Sequence, residues 1–125
     1  YVRDVNSYDN RQKVITEWYR SELKVIMPDL INKWEKIIGV SVLDWGVKRM
    51  KTRWGTCNVK VKRIWINLEL VKKPLDLIEY VLVHEMVHLI ERGHGKRFYE
   101  LMTKFLPKWK NYKKELNKLP IWSAN

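Results

Sequence analysis

Apolar side chains recur at helical spacing through residues 10–38, at Val14, Ile15, Trp18, Tyr19, Leu23, Ile26, Leu30, Trp34 and Ile37. This period of about 3.6 predicts an amphipathic N-terminal helical region. Pro28 interrupts it. Lacking an amide proton, Pro28 either bends one long helix or opens a second with Asp29 in its first turn, and Gly39 is a natural stop. The pattern then changes. SVLDWGVKRM, KTRWGTCNVK and VKRIWINLEL are rich in Val, Ile and Trp, with turn-formers at Gly55 and Asn58, and predict a small antiparallel sheet of two or three strands. Helical period returns at Pro74, expected as the first residue of a helix that has Asp76 near its positive end and runs to about Glu91. Gly93 and Gly95 bracket His94 in a tight exit, KRFYELMTKFL forms another amphipathic helix ending before Pro107, and a basic helix follows at about 108–118. The order of helices, small sheet and helices makes the expected fold α+β, one domain over residues 1–125.

Composition narrows the class. With 125 residues, 46% of them hydrophobic, and seven Trp and six Tyr, the chain can fill a real core, and an ordered chain is expected except at the ends. No apolar run approaches the roughly 20 residues that cross a bilayer, and YVRDVNSYDN lacks the apolar core of a secretory signal, so no membrane role and a cytoplasmic location are expected. The first residue is Tyr1 rather than Met, and an upstream N-terminal segment is expected. A single cysteine, Cys57, excludes an intrachain disulfide and a cysteine-based zinc site.

The formal charge of +11 is unevenly spread. Residues 48–73 carry nine Lys or Arg against Glu69 alone, and residues 96–118 carry eight against two acids. Between them, residues 74–95 hold Asp76, Glu79, Glu85 and Glu91 against Arg92. Two basic segments thus bracket an acidic one and can steer an anionic partner, nucleic acid included, or serve simply as solvated faces.

The acidic segment holds the chemistry. YVLVHEMVHLIERGH contains His84-Glu85-x-x-His88, and residues four apart on a helix share one face, so both imidazoles can reach one ion. Zinc takes neutral imidazole nitrogen, and a catalytic site keeps three protein ligands so that water occupies the remaining position. The metal lowers the pKa of that water, and Glu85 is placed to act on it as general base. Val81, Leu82, Val83, Met86, Val87, Leu89 and Ile90 make this helix apolar nearly all round, and burying two imidazoles and a carboxylate without partners costs several kcal/mol. A metal removes that cost. His94 is the leading candidate for third ligand, with Glu91, on the same helical face, and Glu100, on the next helix, as competitors or as acceptors orienting a ligand histidine.

Three stretches, KTRWGTC at 51–57, IWINLELVKKP at 64–74 and IEYVLVHEMVHLIERGHGKRF at 78–98, resemble the YgjP-like metallopeptidase domain, a relative of the SprT-like and WLM zinc peptidases. The resemblance implies a zincin-like fold, a zinc cofactor bound by His84, His88 and His94, and a peptide or protein substrate. Metzincins share the histidine spacing but place Gly where this chain has Glu91, and no Met-turn is evident. In zinc peptidases an extended substrate often pairs with a strand beside the active-site helix, which makes Arg53–Cys57 the candidate strand end. There Gly55 permits close backbone approach, Arg53 can bind a carboxylate or phosphate, and Trp54 is expected in the core. Cys57 is expected as a small buried apolar side chain rather than a zinc cap. Tyr80, Arg97 and Tyr99 are the candidate electrophilic partners.

Three functions remain distinguishable. The leading one is a zinc metallopeptidase in which Glu85 activates metal-coordinated water; the second is a nucleotide or phosphoester hydrolase on the same site; the third is a nucleic-acid-binding module with zinc outside catalysis.

Overall fold

The computed structural model describes residues 2–118. Helix α1, Val2–Ile38, runs unbroken through Pro28, so of the two outcomes open to that proline the single long helix is the one adopted. Pro28 sits on the exposed side, where a carbonyl lacking its helical donor can turn to water. Gly39, at φ +82°, ends the helix in the left-handed conformation, its N–H donating to the Glu35 carbonyl at 2.9 Å.

The buried stripe of α1 is Leu23, Met27, Ile31, Trp34 and Ile38, shifted from the apolar positions read off the sequence. Val14, Ile15 and Trp18 are exposed. A helix of 37 residues is about 55 Å long, longer than a small domain is wide, so an apolar stripe can continue along it past the surface that buries it. The second half is tied in by Glu79, which accepts from Trp34 Nε1 at 2.7 Å and pairs with Lys33 at 2.8 Å.

Strands β1 (Asp44–Lys48), β2 (Gly55–Asn58) and β3 (Arg63–Asn67) form one sheet in the order β1-β3-β2. β2 and β3 pair antiparallel as expected, but β1 pairs parallel to β3, with Trp45 opposite Ile64 and Val47 opposite Ile66. The fold is α+β with a mixed sheet rather than a wholly antiparallel one. The reason is the loop at 49–54, which carries the chain past β3 to the far side, so that β2 returns through a tight turn and β3 fills the centre.

That loop is pinned by a polar side chain with no solvent exposure, Asn67. Its Nδ2 donates to the carbonyls of Met50 and Arg53, both at 2.8 Å, and its backbone N–H donates to Trp54 O at 2.9 Å. Its Oδ1 caps the 3-10 helix Leu68–Lys72 by accepting from Glu69 N. Buried Glu69 adds ion pairs to Arg49, in the same loop, and to Lys72.

Helix α2, Leu75–Val87, follows Pro74, which takes the N-cap rather than the first helical position. It is buried on most sides, with Leu77, Ile78, Tyr80–Val83, Met86 and Val87 in the core. The helix ends earlier than its apolar run suggests, because beyond Val87 the chain tightens into i→i−3 bonds, Leu89 N to Met86 O and Ile90 N to Val87 O. Helices α3 (Lys96–Phe105) and α4 (Trp109–Leu116) complete the chain around it. Against the sheet, α2 comes so close to Gly55 that a Cβ there would lie 2.9 Å from Val81 Cγ1 and 3.1 Å from Glu85 Cγ.

Replacing Asn67 with Ala strands two carbonyls and uncaps the 3-10 helix, so N67A is expected to lose about 1–3 kcal/mol in urea unfolding at constant m-value. An unchanged midpoint would show that the loop is held by something else.

Candidate metal centre

Two ligand-bearing positions follow from the helix and one from the loop after it. His84 lies in the last turn of α2, His88 is its C-cap, and His94 stands just before α3. The potential ligand atoms of these three lie within 4.8 Å of one another. His88 Nε2 and His94 Nε2 are 3.0 Å apart, close to the roughly 3.3 Å expected between two nitrogens bound at 2.0–2.1 Å in a tetrahedral zinc site. Three neutral imidazoles at that spacing fit a divalent transition metal.

The surroundings set the imidazoles for this task. His88 Nδ1 donates to the Glu91 backbone carbonyl at 3.1 Å, which directs its Nε2 lone pair toward His94. The tautomer of His84 that donates from Nδ1 to Glu85 Oε2, 3.2 Å away, likewise frees its Nε2. Desolvation, and next the neighbouring His88 and His84, push the His94 imidazole below its ordinary pKa, so it stays neutral with a lone pair to give.

Phe98, fully buried, touches all three rings. Its centroid lies 4.5 Å from that of His88 in a stacked pair, and 5.0 and 4.9 Å from those of His84 and His94 edge-on. Sequence reasoning passed over this residue as one more apolar position of α3. Its signal was the spacing, four residues after His94 and one turn into the helix. Asn67 was missed too, though an Asn ahead of Leu-Glu at a strand end has the look of a cap.

The competing carboxylates lie elsewhere. The Glu91 side chain pairs with Arg97 at 3.3 Å, leaving only its carbonyl to orient His88, and the exposed Glu100 side chain faces Lys96 at 3.9 Å. Glu85 is buried beside His84. Next to it opens a cleft of about 190 Å³, walled by Arg53, Trp54 and Gly55, by Tyr80, Val81, His84 and Glu85 of α2, and by α4 and its end. Of the candidate electrophiles only Tyr80 borders this cleft; burial, then Tyr99 and Glu85, push its phenol up to about 12, so it remains a donor. Arg97 is engaged by Glu91, and Tyr99 stacks on Trp109 with centroids 5.0 Å apart.

Trp54 serves both cleft and core, half-buried against the hydrophobic cluster. What approaches Gly55 closely is α2 itself. Cys57 is half-buried in β2 and belongs to no metal-binding group among the described residues; burial, then Glu85, push its thiol up to about 11, which keeps it protonated. In the first basic segment Arg49 pairs with Glu69, Arg63 pairs with Asp44 and Lys48 lies over the Trp65 ring at 4.4 Å. No helix among the described residues is long and apolar enough to cross a membrane.

This arrangement of helices and small sheet is similar to that of solved metallopeptidase structures. The metallopeptidase zymogen of Pyrococcus abyssi abylysin superposes with a TM-score of 0.65 at 19% identity, covering 71% of this chain and 90% of its own. That of Methanocaldococcus jannaschii jannalysin gives 0.62 at 18% identity, covering 71% and 91%. Among curated proteins none matches significantly. The sequence matches the YgjP-like metallopeptidase domain over residues 1–119, and the chain belongs to that family.

Phe98→Leu keeps an apolar side chain but removes the flat ring against the imidazoles. With the fold retained by circular dichroism, F98L is expected to bind Zn²⁺ about tenfold more weakly in chelator competition. Equal affinity would mean that the ring only fills space.

Proposed function

We propose that the chain is a zinc metallopeptidase in which His84, His88 and His94 hold the metal and Glu85 is the general base. The observation that carries this reading is the convergence of all three histidines of the sequence on one point beside a buried glutamate. Zinc bound there would act as a Lewis acid and bring the pKa of water toward about 7.

The protein's own groups do the rest. Glu85 accepts a proton from the attacking water as its oxygen bonds the scissile carbonyl carbon, then returns that proton to the departing amine nitrogen as the C–N bond breaks. Tyr80, which borders the cleft with His84, carries a hydroxyl that can donate to the negative charge that develops on the carbonyl oxygen. Trp54, Val81 and Leu116 give the cleft an apolar lining that excludes water from the reacting bond.

A second reading, hydrolysis of a phosphoester on the same centre, is favoured by one feature, the presence of Arg53 and Lys113 on the cleft walls. Family membership weighs toward the peptide bond.

Peptide hydrolysis that stops with chelator and returns with Zn²⁺ is expected, and E85Q should keep the metal while losing at least about 100-fold in kcat. Turnover by E85Q close to that of the parent would remove Glu85 from the mechanism, and chelator-sensitive cleavage of nucleotides but not peptides would favour the second reading.

A further inference from the structure

We propose that the cleft beside Glu85 selects a peptide bearing a carboxylate, an acidic side chain or the free C-terminus, held between Arg53 and Lys113. This rests on the peptidase reading and specifies its substrate class. The two cations reach the cleft from different parts of the fold, Arg53 from the loop after β1 and Lys113 from α4, and among the described residues Glu85 is the one carboxylate on the walls. Once Glu85 is engaged with the attacking water, the remaining charge on the described walls is positive.

Among the described residues neither cation is paired with a carboxylate. Arg49, Arg63 and Arg97 each pair with a carboxylate, whereas among the described residues Arg53 and Lys113 have no acidic partner; Lys113 Nζ lies only over the Tyr99 ring, 6.0 Å from its centroid. Both are mounted on braced backbone. The Arg53 carbonyl accepts from fully buried Asn67 at 2.8 Å, and the next carbonyl, of Trp54, accepts from the Asn67 N–H at 2.9 Å. Lys113 lies between Tyr112, which contacts Tyr80 across α2 and α4, and buried Leu116.

The donor set matches one planar anion. A guanidinium offers paired N–H groups to both carboxylate oxygens, while an ammonium contributes a point charge. Trp54, Val81 and Leu116 accommodate the methylenes that lead to such a group. A Lys or Arg side chain of a substrate would meet two like charges there.

The zinc-loaded protein is incubated with a peptide mixture from a digested proteome and its cut sites are read by mass spectrometry. Binding of the preferred sequence is then measured on E85Q, comparing Glu with Gln at each position and the free C-terminal acid with its amide. About tenfold preference for one carboxylate is expected, weakening with salt and falling to within about twofold in R53Q/K113Q. Preference for Glu at a fixed position identifies a side chain, and acid over amide identifies the chain end. Chelator-sensitive cleavage with equal binding and turnover of charged and neutral forms overturns the carboxylate site and leaves the peptidase reading standing. An undiminished preference in R53Q/K113Q overturns the assignment to these residues. If no peptide is cleaved, the peptidase reading falls and this inference falls with it.

Discussion

A helix buried on most of its surface cannot carry two imidazoles and a carboxylate unless those groups are satisfied by one another or by a ligand. In α2 the apolar sides are taken up by the sheet, α1, α3 and α4, and the polar residues gather where α2 ends. There the Glu91 carbonyl fixes one His88 nitrogen and leaves the other facing His94 across 3.0 Å. The tightening of the chain after Val87 delivers that carbonyl, and the turn through Gly93 brings His94 back over the helix end. Phe98 closes the arrangement from beneath. A metal ion is the ligand this packing suits, since it binds three lone pairs at once and needs no donor hydrogen.

The rest of the fold aims the cleft at that point. Gly55 lets β2 come within contact of Val81 and Glu85, and Asn67 holds the loop carrying Arg53 and Trp54 at the rim. These are second-rank positions by distance from the histidines, yet they set the width and charge of the site. A side chain on Gly55 would push α2 off the sheet, and with it Glu85.

The helices were legible because their period depends only on neighbours in sequence, and His84, Glu85 and His88 declared themselves through a spacing of one helical turn. His94 could be chosen over Glu91 and Glu100 on the strength of its glycines and the family resemblance, and the structure brings it, and neither carboxylate, into the cluster. The parallel pairing of β1 with β3 could not be read, because strand order depends on which way a loop crosses the sheet and not on the strands' own residues. The same holds for Asn67, whose partners lie 14 and 17 residues away. The exposed Val14, Ile15 and Trp18 show the converse, an apolar stripe continuing along a helix beyond the body that buries it.

Anomalous diffraction either side of the zinc absorption edge, on protein purified without chelator, tests the central claim most directly. The account predicts one strong zinc peak about 2.0–2.1 Å from a nitrogen of each of His84, His88 and His94. No peak among these residues, or one bound by Cys57 or by carboxylates instead, would contradict it.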